Sequence, residues 1–368
     1  MFDLLIRLGI SVCLAYCSQR GIGRVRITKH QTIDIPLVIL IVMLSLFCGL
    51  RTAFNDTEVY IRGFLNSPTL SEYLSEGINL FENPLYYIMQ SVIRHSITDN
   101  YHVFLLLIAF FTISSFVCFI KKYASNFTFS ILLFFAIGLY LSNFAAMKQS
   151  IAMAVLMYAI SALINKRVGR FYLLVFIAML FHTYAIMFVI LPLFTQKPWT
   201  PMTYIAIASI VFILFTFEST ISEFLEYAED LGKEINETEV FETQSINPFR
   251  LAVFSVPPVL SFLFRKRLDP RYQRTQCTAV NMSILSFLVM CLGLVSAGNL
   301  FGRSAIYFEI GTIIALPWVV QTLFTKQSAK IVSFVAASCY IAFFVYDIQA
   351  FDAGYRSISL IAFLQTIL

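Results

Sequence analysis

Charge is what this chain of 368 residues has least of. Only 13% of its residues are Asp, Glu, Lys or Arg, where an average soluble domain carries about a quarter. That scarcity, with the long apolar blocks below, excludes a soluble enzyme, a disordered tail and a nucleic-acid-binding domain. Metal-site patterns are also missing: no Cys-x-x-Cys occurs and the four His are scattered. Cys13, Cys17, Cys48, Cys118, Cys291 and Cys339 lie inside apolar blocks, where they read as small hydrophobes and not as a disulfide framework. No internal repeat, low-complexity linker or separate soluble domain is visible. The first segment lacks a basic start and a small-residue cleavage box, so a retained first helix is expected.

Apolar residues fill the space that charge leaves. The chain is 59% hydrophobic and 16% aromatic, with 38 Phe and a mean hydropathy of +0.79. Blocks such as 103–120 and 171–194 have the length that a bilayer core of about 30 Å demands of helices rising about 1.5 Å per residue. The expected fold is all-α: a polytopic transmembrane helix bundle forming one integral membrane domain over residues 1–368.

Seventeen of the 26 basic residues fall in six clusters between apolar blocks. These are Arg20/Arg24/Arg26/Lys29, Lys121/Lys122, Lys166/Arg167/Arg170, Lys197, Arg265/Lys266/Arg267/Arg271/Arg274 and Lys326/Lys330. Placing all six in the cytoplasm satisfies the positive-inside bias. The N-terminus is then outside, and loops 19–32, 121–125, 165–170, 265–276 and 325–330 are cytoplasmic. Segments 51–100 and 218–249 are external. Spans fall near 2–18, 33–50, 101–120, 126–142, 147–164, 202–217, 250–264, 277–297, 303–324 and 331–349.

Block 171–194 breaks this parity, because a single crossing there would put Lys197 outside and invert everything downstream. A re-entrant or broken helix restores it. Residues 171–182 cover only about 18 Å as a helix, which places a turn at His182-Thr183 within or near the outer half of the membrane. Irregular backbone at that depth is tolerated where it is buried in protein or lines a wet cavity. Residues 83–95 read as an interfacial or re-entrant helix. The 218–249 loop holds nine acids against one Lys and is expected to be helical over 221–231, closed by Asn247-Pro248.

Four cations break the charge rule at the outer ends of different helices: Arg51, Lys148, Arg250 and Arg303. A shared polyanionic substrate explains them together, and arginine's planar fork suits a diphosphate. Snorkelling of each to the headgroups is the plain alternative. If the second helix continues, Arg51 and Asn55 share one face and Asp56 and Tyr60 an adjacent one. Asp56 could take a proton, orient Arg51 or cap a helix, and beside an arginine charge pairing is favoured over base work. Arg303 and Tyr307 are likewise four apart. His182 is the one His inside an apolar stretch, and an imidazole, which titrates near pH 6.5 when unperturbed, suits a neutral base or a hydrogen-bond donor.

These stretches carry a resemblance. Arg51 with Asn55-Asp56 and Tyr60, the run from Asn143 to Ala152, the stretch ending in His182, and Arg303 with Tyr307 resemble, in order and spacing, the EpsG-like family of bacterial polysaccharide polymerases of the Wzy type. Where that family usually carries Arg before Gln in the fifth span, this chain has Lys148, which keeps the charge and loses the fork.

The resemblance implies a metal-independent membrane glycosyltransferase of the GT-C kind in the bacterial cytoplasmic membrane, with no cofactor. A growing glycan would pass from undecaprenyl diphosphate to the non-reducing end of a lipid-linked repeat unit on the outer face, making O-antigen, capsule or exopolysaccharide. His182 is the first candidate for the base and Asp56 the second. Arg51 is placed with them at the catalytic centre, while Arg303, Lys148, Arg250, Tyr60, Tyr307 and Asn55 bind substrate. The implied partners are the lipid-linked oligosaccharide, the bilayer and a candidate chain-length regulator, with no nucleic acid. A lipid-linked oligosaccharide flippase and a membrane O-acyltransferase are the competing readings.

Overall fold

The computed structural model describes residues 2–28, 32–75, 77–216, 227, 245–295, 297–348 and 354–366. Helices dominate. In chain order they are α1 (Phe2–Arg20), α2 (Ile35–Gly49), α3 (Thr57–Leu65), α4 (Leu70–Ser75), α5 (Pro84–Val92), α6 (Tyr101–Tyr123), α7 (Phe127–Ala136), α8 (Leu139–Ala145) and α9 (Met147–Ile164). Next come α10 (Val168–Phe181), a 3-10 segment (Thr183–Phe194), and α11 (Pro201–Phe215). The rest are α12 (Pro248–Leu263), α13 (Arg265–Leu268), α14 (Arg274–Leu292), α15 (Gly298–Leu323), α16 (Lys326–Asp347) and α17 (Leu360–Gln365). Two small antiparallel pairs complete the described fold: β1 (Arg24–Arg26) with β2 (Thr32–Asp34), and β3 (Arg51–Ala53) with β4 (Arg356–Ser357).

The chain is an all-α polytopic bundle, with a helix in each of the ten expected spans. Among the described residues, five helices are long and apolar enough to cross a membrane, or seven if each of two bent pairs is one span. One bend corrects the expected continuous span at 126–142: α7 and α8 meet at 46°. Gly138, at φ +84°, sits in that break, in a region closed to most side chains. The acidic stretch expected to be helical over 221–231 lies outside the described residues except for Tyr227. Asn247, beyond that stretch, caps α12 by accepting from the Phe249 amide at 2.9 Å.

Apolar burial alone does not drive helices together in lipid, so close packing and polar bonds between helices matter more. Gly311 of α15 shows the close approach: a Cβ there would lie 2.5 Å from Met282 Cβ and 2.6 Å from the Ala279 carbonyl of α14. Phe116, Phe134, Phe135 and Phe144 are fully buried, and the Tyr140 hydroxyl donates to the Leu44 carbonyl at 3.0 Å.

Polar contacts tie the basic clusters to one another's neighbourhoods. Asp34 takes Lys121 at 3.5 Å and Arg24 at 3.4 Å, and Arg20, Lys326 and Lys330 line one crevice. Arg274 donates to the Leu163 carbonyl at 2.9 Å, and Lys197 pairs with Asp269 at 2.9 Å. These contacts frame the break at His182. α10 rises from beside Leu163 for about 21 Å and stops at Phe181. The 3-10 segment returns over about 24 Å, since its rise is near 2.0 Å per residue, and ends just before Lys197. Its tip, Thr183, meets Asn83 and Phe81 of the 51–100 segment. The expected break is therefore a hairpin whose two feet lie together.

Candidate functional site

At the hairpin tip the backbone itself builds the site. The His182 amide donates to Ala178 at 3.0 Å, closing α10, and His182 then turns extended at φ −156°. That turn frees the Thr183 amide, which donates to Asn83 Oδ1 at 3.0 Å, while the Thr183 hydroxyl donates to the Phe81 carbonyl at 2.6 Å. Asn83 precedes Pro84 in the left-handed region at φ 60°, a conformation Asn tolerates better than most. It leaves its own helix uncapped and satisfies the break instead.

A cavity of about 380 Å³ opens beside this tip. His182, Arg303, Lys148, Tyr60 and Asp56 all line it, so five of the nine residues singled out in the sequence converge there. Tyr307, buried beneath them, joins the group through its hydroxyl, 2.6 Å from His182 Nδ1. Lys148 Nζ donates to the Tyr87 hydroxyl at 2.7 Å and lies 4.3 Å above that ring. Gln149 Nε2 donates to the Arg303 carbonyl at 2.7 Å, which ties α9 to α15 at the cavity wall. Tyr60 accepts from the Met147 amide at 3.2 Å. Burial, with Asp56 nearby, pushes the Tyr60 phenol above its ordinary value, so it is a neutral hydroxyl at working pH.

Three expectations are corrected. The second helix does not continue through Asn55: α2 ends at Gly49, residues 51–53 pair as a strand with 356–357, and Asn55 takes a left-handed φ of 42°. Asn55 does not line the cavity, and the face it was expected to share with Arg51 does not exist. Arg51 is 1% exposed, donating from Nη1 to the Cys48 carbonyl at 2.6 Å and from Nε to the Thr57 hydroxyl at 3.1 Å. It laces the end of α2 to the start of α3 and makes no pair with Asp56, whose side chain neither caps α3 nor meets an arginine. Arg250 stands apart from the cavity as well, facing Glu309 at 3.5 Å and Asp347 at 3.3 Å. Of the four outer cations, the structure brings Lys148 and Arg303 together.

Sequence reasoning passed over Asn83, Tyr86, Tyr87, Gln90 and Gln149, which complete the lining. The Tyr86-Tyr87 pair directly after Asn83-Pro84 was the available signal. Two of these residues hold polar atoms buried without a partner among the described residues, Tyr86 OH and Gln149 Oε1. Buried polar groups are nearly always paired, and both of these residues belong to the cavity lining.

A multi-pass membrane bundle with a polar, cationic cavity at the tip of a helical hairpin is the class these observations define. The profile of the EpsG family matches residues 34–361, and the chain belongs to the EpsG family. Membership gives it a polysaccharide-polymerase type of role. No curated protein and no solved structure matches the chain.

Proposed function

We propose that this protein is the polymerase of a lipid-linked glycan, acting in the bacterial cytoplasmic membrane with its N-terminus and the cavity on the outer face. The observation that carries the reading is the convergence of His182, Arg303 and Lys148 on one cavity in an EpsG-family chain. Its volume falls within the usual range of ligand pockets, about 300–1,000 Å³, and its tyrosine wall offers flat faces and hydroxyls to sugar rings. The all-helical bundle is the architecture expected of a GT-C-like enzyme.

The chemistry follows from the groups present. A hydroxyl at the non-reducing end of a lipid-linked repeat unit attacks C1 of the growing glycan, whose bond to the diphosphate oxygen breaks. Undecaprenyl diphosphate leaves, and the acceptor's proton passes to His182. With Nδ1–H donating to the Tyr307 oxygen, a neutral imidazole keeps its lone pair on Nε2, the state a base requires. Asp56 is the second candidate for that role. Arg303, with its fork, and Lys148, as a point charge, stabilise the charge that develops on the leaving diphosphate, a task that calls on no metal.

The test is reconstitution of the purified protein with lipid-linked repeat units, with and without EDTA. A ladder of multiples of the repeat, unchanged by the chelator, is expected. Product lipids that stay at one repeat while crossing to the opposite leaflet would make the protein a flippase.

A further inference from the structure

We infer that the protein carries a second site, for the phosphate headgroup of an anionic phospholipid, at the opposite end of the bundle from the His182 cavity. A separate cavity of about 300 Å³ opens there between α6, α9 and the start of α10. Lys122, Arg167 and Arg170 line it, and no acidic residue does. Some cations at this end are paired within the protein, since Lys121 and Arg24 share Asp34 and Lys197 has Asp269, but what sets Lys122, Arg167 and Arg170 apart is that they gather around one cavity. Lys122, Arg167 and Arg170 make no ion pair with any described acid. In a chain with so little charge, three uncompensated cations around one cavity call for an anion.

The local backbone holds them in place. Lys166 adopts φ 61°, and the Arg167 amide returns to the Ala162 carbonyl at 2.9 Å while the Lys166 amide bonds Leu163 at 3.0 Å. That pair of bonds is a Schellman closure of α9, and it turns the chain directly into α10. α10 begins at Val168 with no side-chain cap, so its free amides add positive potential beside the two arginines. Asn165 is fixed by its own bond to the Ser161 carbonyl at 2.6 Å.

The rest of the cavity is matched to a lipid and not to a free ion. From the basic rim it runs along α6 and α9 past Met157, Tyr158 and Cys118. The last two are exposed on the bundle's outer surface, Cys118 about 6 Å along α6 from Lys122 and Tyr158 about 10 Å along α9 from Asn165. A ligand that is anionic at one end and apolar along its length fits this shape. Basic pockets between helices on the cytoplasmic side are suited to such headgroups.

Native mass spectrometry of the full-length protein in neutral detergent, with added phosphatidylglycerol or phosphatidylcholine, tests the site. Phosphatidylglycerol should be retained preferentially, and Arg167→Gln with Arg170→Gln should weaken it about thirtyfold, as two lost headgroup cations imply. Arg167→Lys with Arg170→Lys keeps the charges that guide insertion and should still lose about threefold, because the planar forks are gone. Lys326→Gln with Lys330→Gln, at the same end of the bundle, should change nothing. Equal retention of the two lipids, or equal losses in the 167/170 and 326/330 Gln variants, overturns the site in favour of diffuse attraction. Complete release of the lipid by inorganic phosphate, or tighter Arg-dependent binding of a polyprenyl phosphate, overturns the assignment to a bilayer phospholipid.

Discussion

The Tyr307 hydroxyl lies 2.6 Å from Nδ1 of His182, linking the middle of α15 to the one-residue gap between α10 and its 3-10 return. Tyr307 is fully buried, while His182 lines the cavity. The buried phenol therefore fixes the angle of the ring that substrate meets. Removing the ring and removing its support should have different effects.

His182→Ala should lower the chemical step by about 10²–10⁴-fold, the usual contribution of a general base. His182→Gln should restore little of it, because an amide cannot accept the acceptor's proton. Tyr307→Phe should cost less, about 10–100-fold, as expected for a hydrogen bond to a group that becomes charged. Single-turnover rates on lipid-linked substrate, corrected for membrane abundance, are the measurement. A near-normal Gln variant would pass the base role to Asp56.

Arg303→Lys should abolish most polymer while the protein inserts normally, since the fork is lost and the charge kept. Lys148→Arg should retain or raise activity, because it supplies a fork where the chain has a point charge. Glycan ladders of wild-type length from Arg303→Lys would leave that residue a headgroup anchor.

Arg51→Lys should act on the fold and not on the chemistry. A lysine cannot hold both the Cys48 carbonyl and the Thr57 hydroxyl in Arg51's geometry, and each charged hydrogen bond lost costs about 1.5–3 kcal/mol. Thermal unfolding in detergent should shift down, and activity per folded molecule should stay close to normal. A folded, inactive protein would return Arg51 to the catalytic group.

Arg250→Ala should strip membrane abundance, because it leaves the Glu309 carboxylate, 1% exposed, without its cation. Breaking a buried pair from one side costs about 3–5 kcal/mol, whereas replacing both partners with apolar residues is often neutral. Arg250→Met with Glu309→Met should therefore recover abundance, as quantitative immunoblotting would show. Polymer made by the double variant would exclude Arg250 from substrate binding.

Asp34→Asn keeps the cap on α2 and loses the charge shared with Lys121 and Arg24. Burial alone would raise the Asp34 carboxyl, but Ser18, the Leu37 amide, Lys121 and Arg24 together hold it below its ordinary value. A lowered folded-state value means its stabilisation is complete above about pH 4, the unfolded range of an aspartate, and is lost as pH falls through the lowered value. The gap in unfolding temperature between wild type and Asp34→Asn should be open at pH 7 and close in strong acid. A gap that does not change with pH would assign the loss to packing.

Much of this was legible from runs and parity. A helix in each apolar block follows from block length, and a break near His182 follows from the expectation that Arg170 and Lys197 share a side, because counting crossings is a global constraint. What escaped depends on partners distant in the chain. The strand that turns Arg51 inward pairs with residues 356–357, and the acids that occupy Arg250 lie 59 and 97 positions away. The bend at Gly138 was hidden by an unbroken apolar run. Asn83, Tyr86 and Tyr87 join the cavity only because the 51–100 segment folds back over the hairpin.

The two short legs of that hairpin constrain how the protein is made. Neither reaches the roughly 30 Å thickness of the hydrocarbon, so neither is a strong insertion signal alone. The return leg ends in carbonyls of Phe194 and Gln196 that are held at 2.7 and 2.8 Å by the side-chain amide of Asn281, 87 and 85 residues further on. Until α14 has been synthesised and docked, the foot of the return leg lacks the side chain that ties it down. The foot of the hairpin is thus among the later parts of the molecule to set, and nascent chains truncated before residue 281 should hold the return leg loosely.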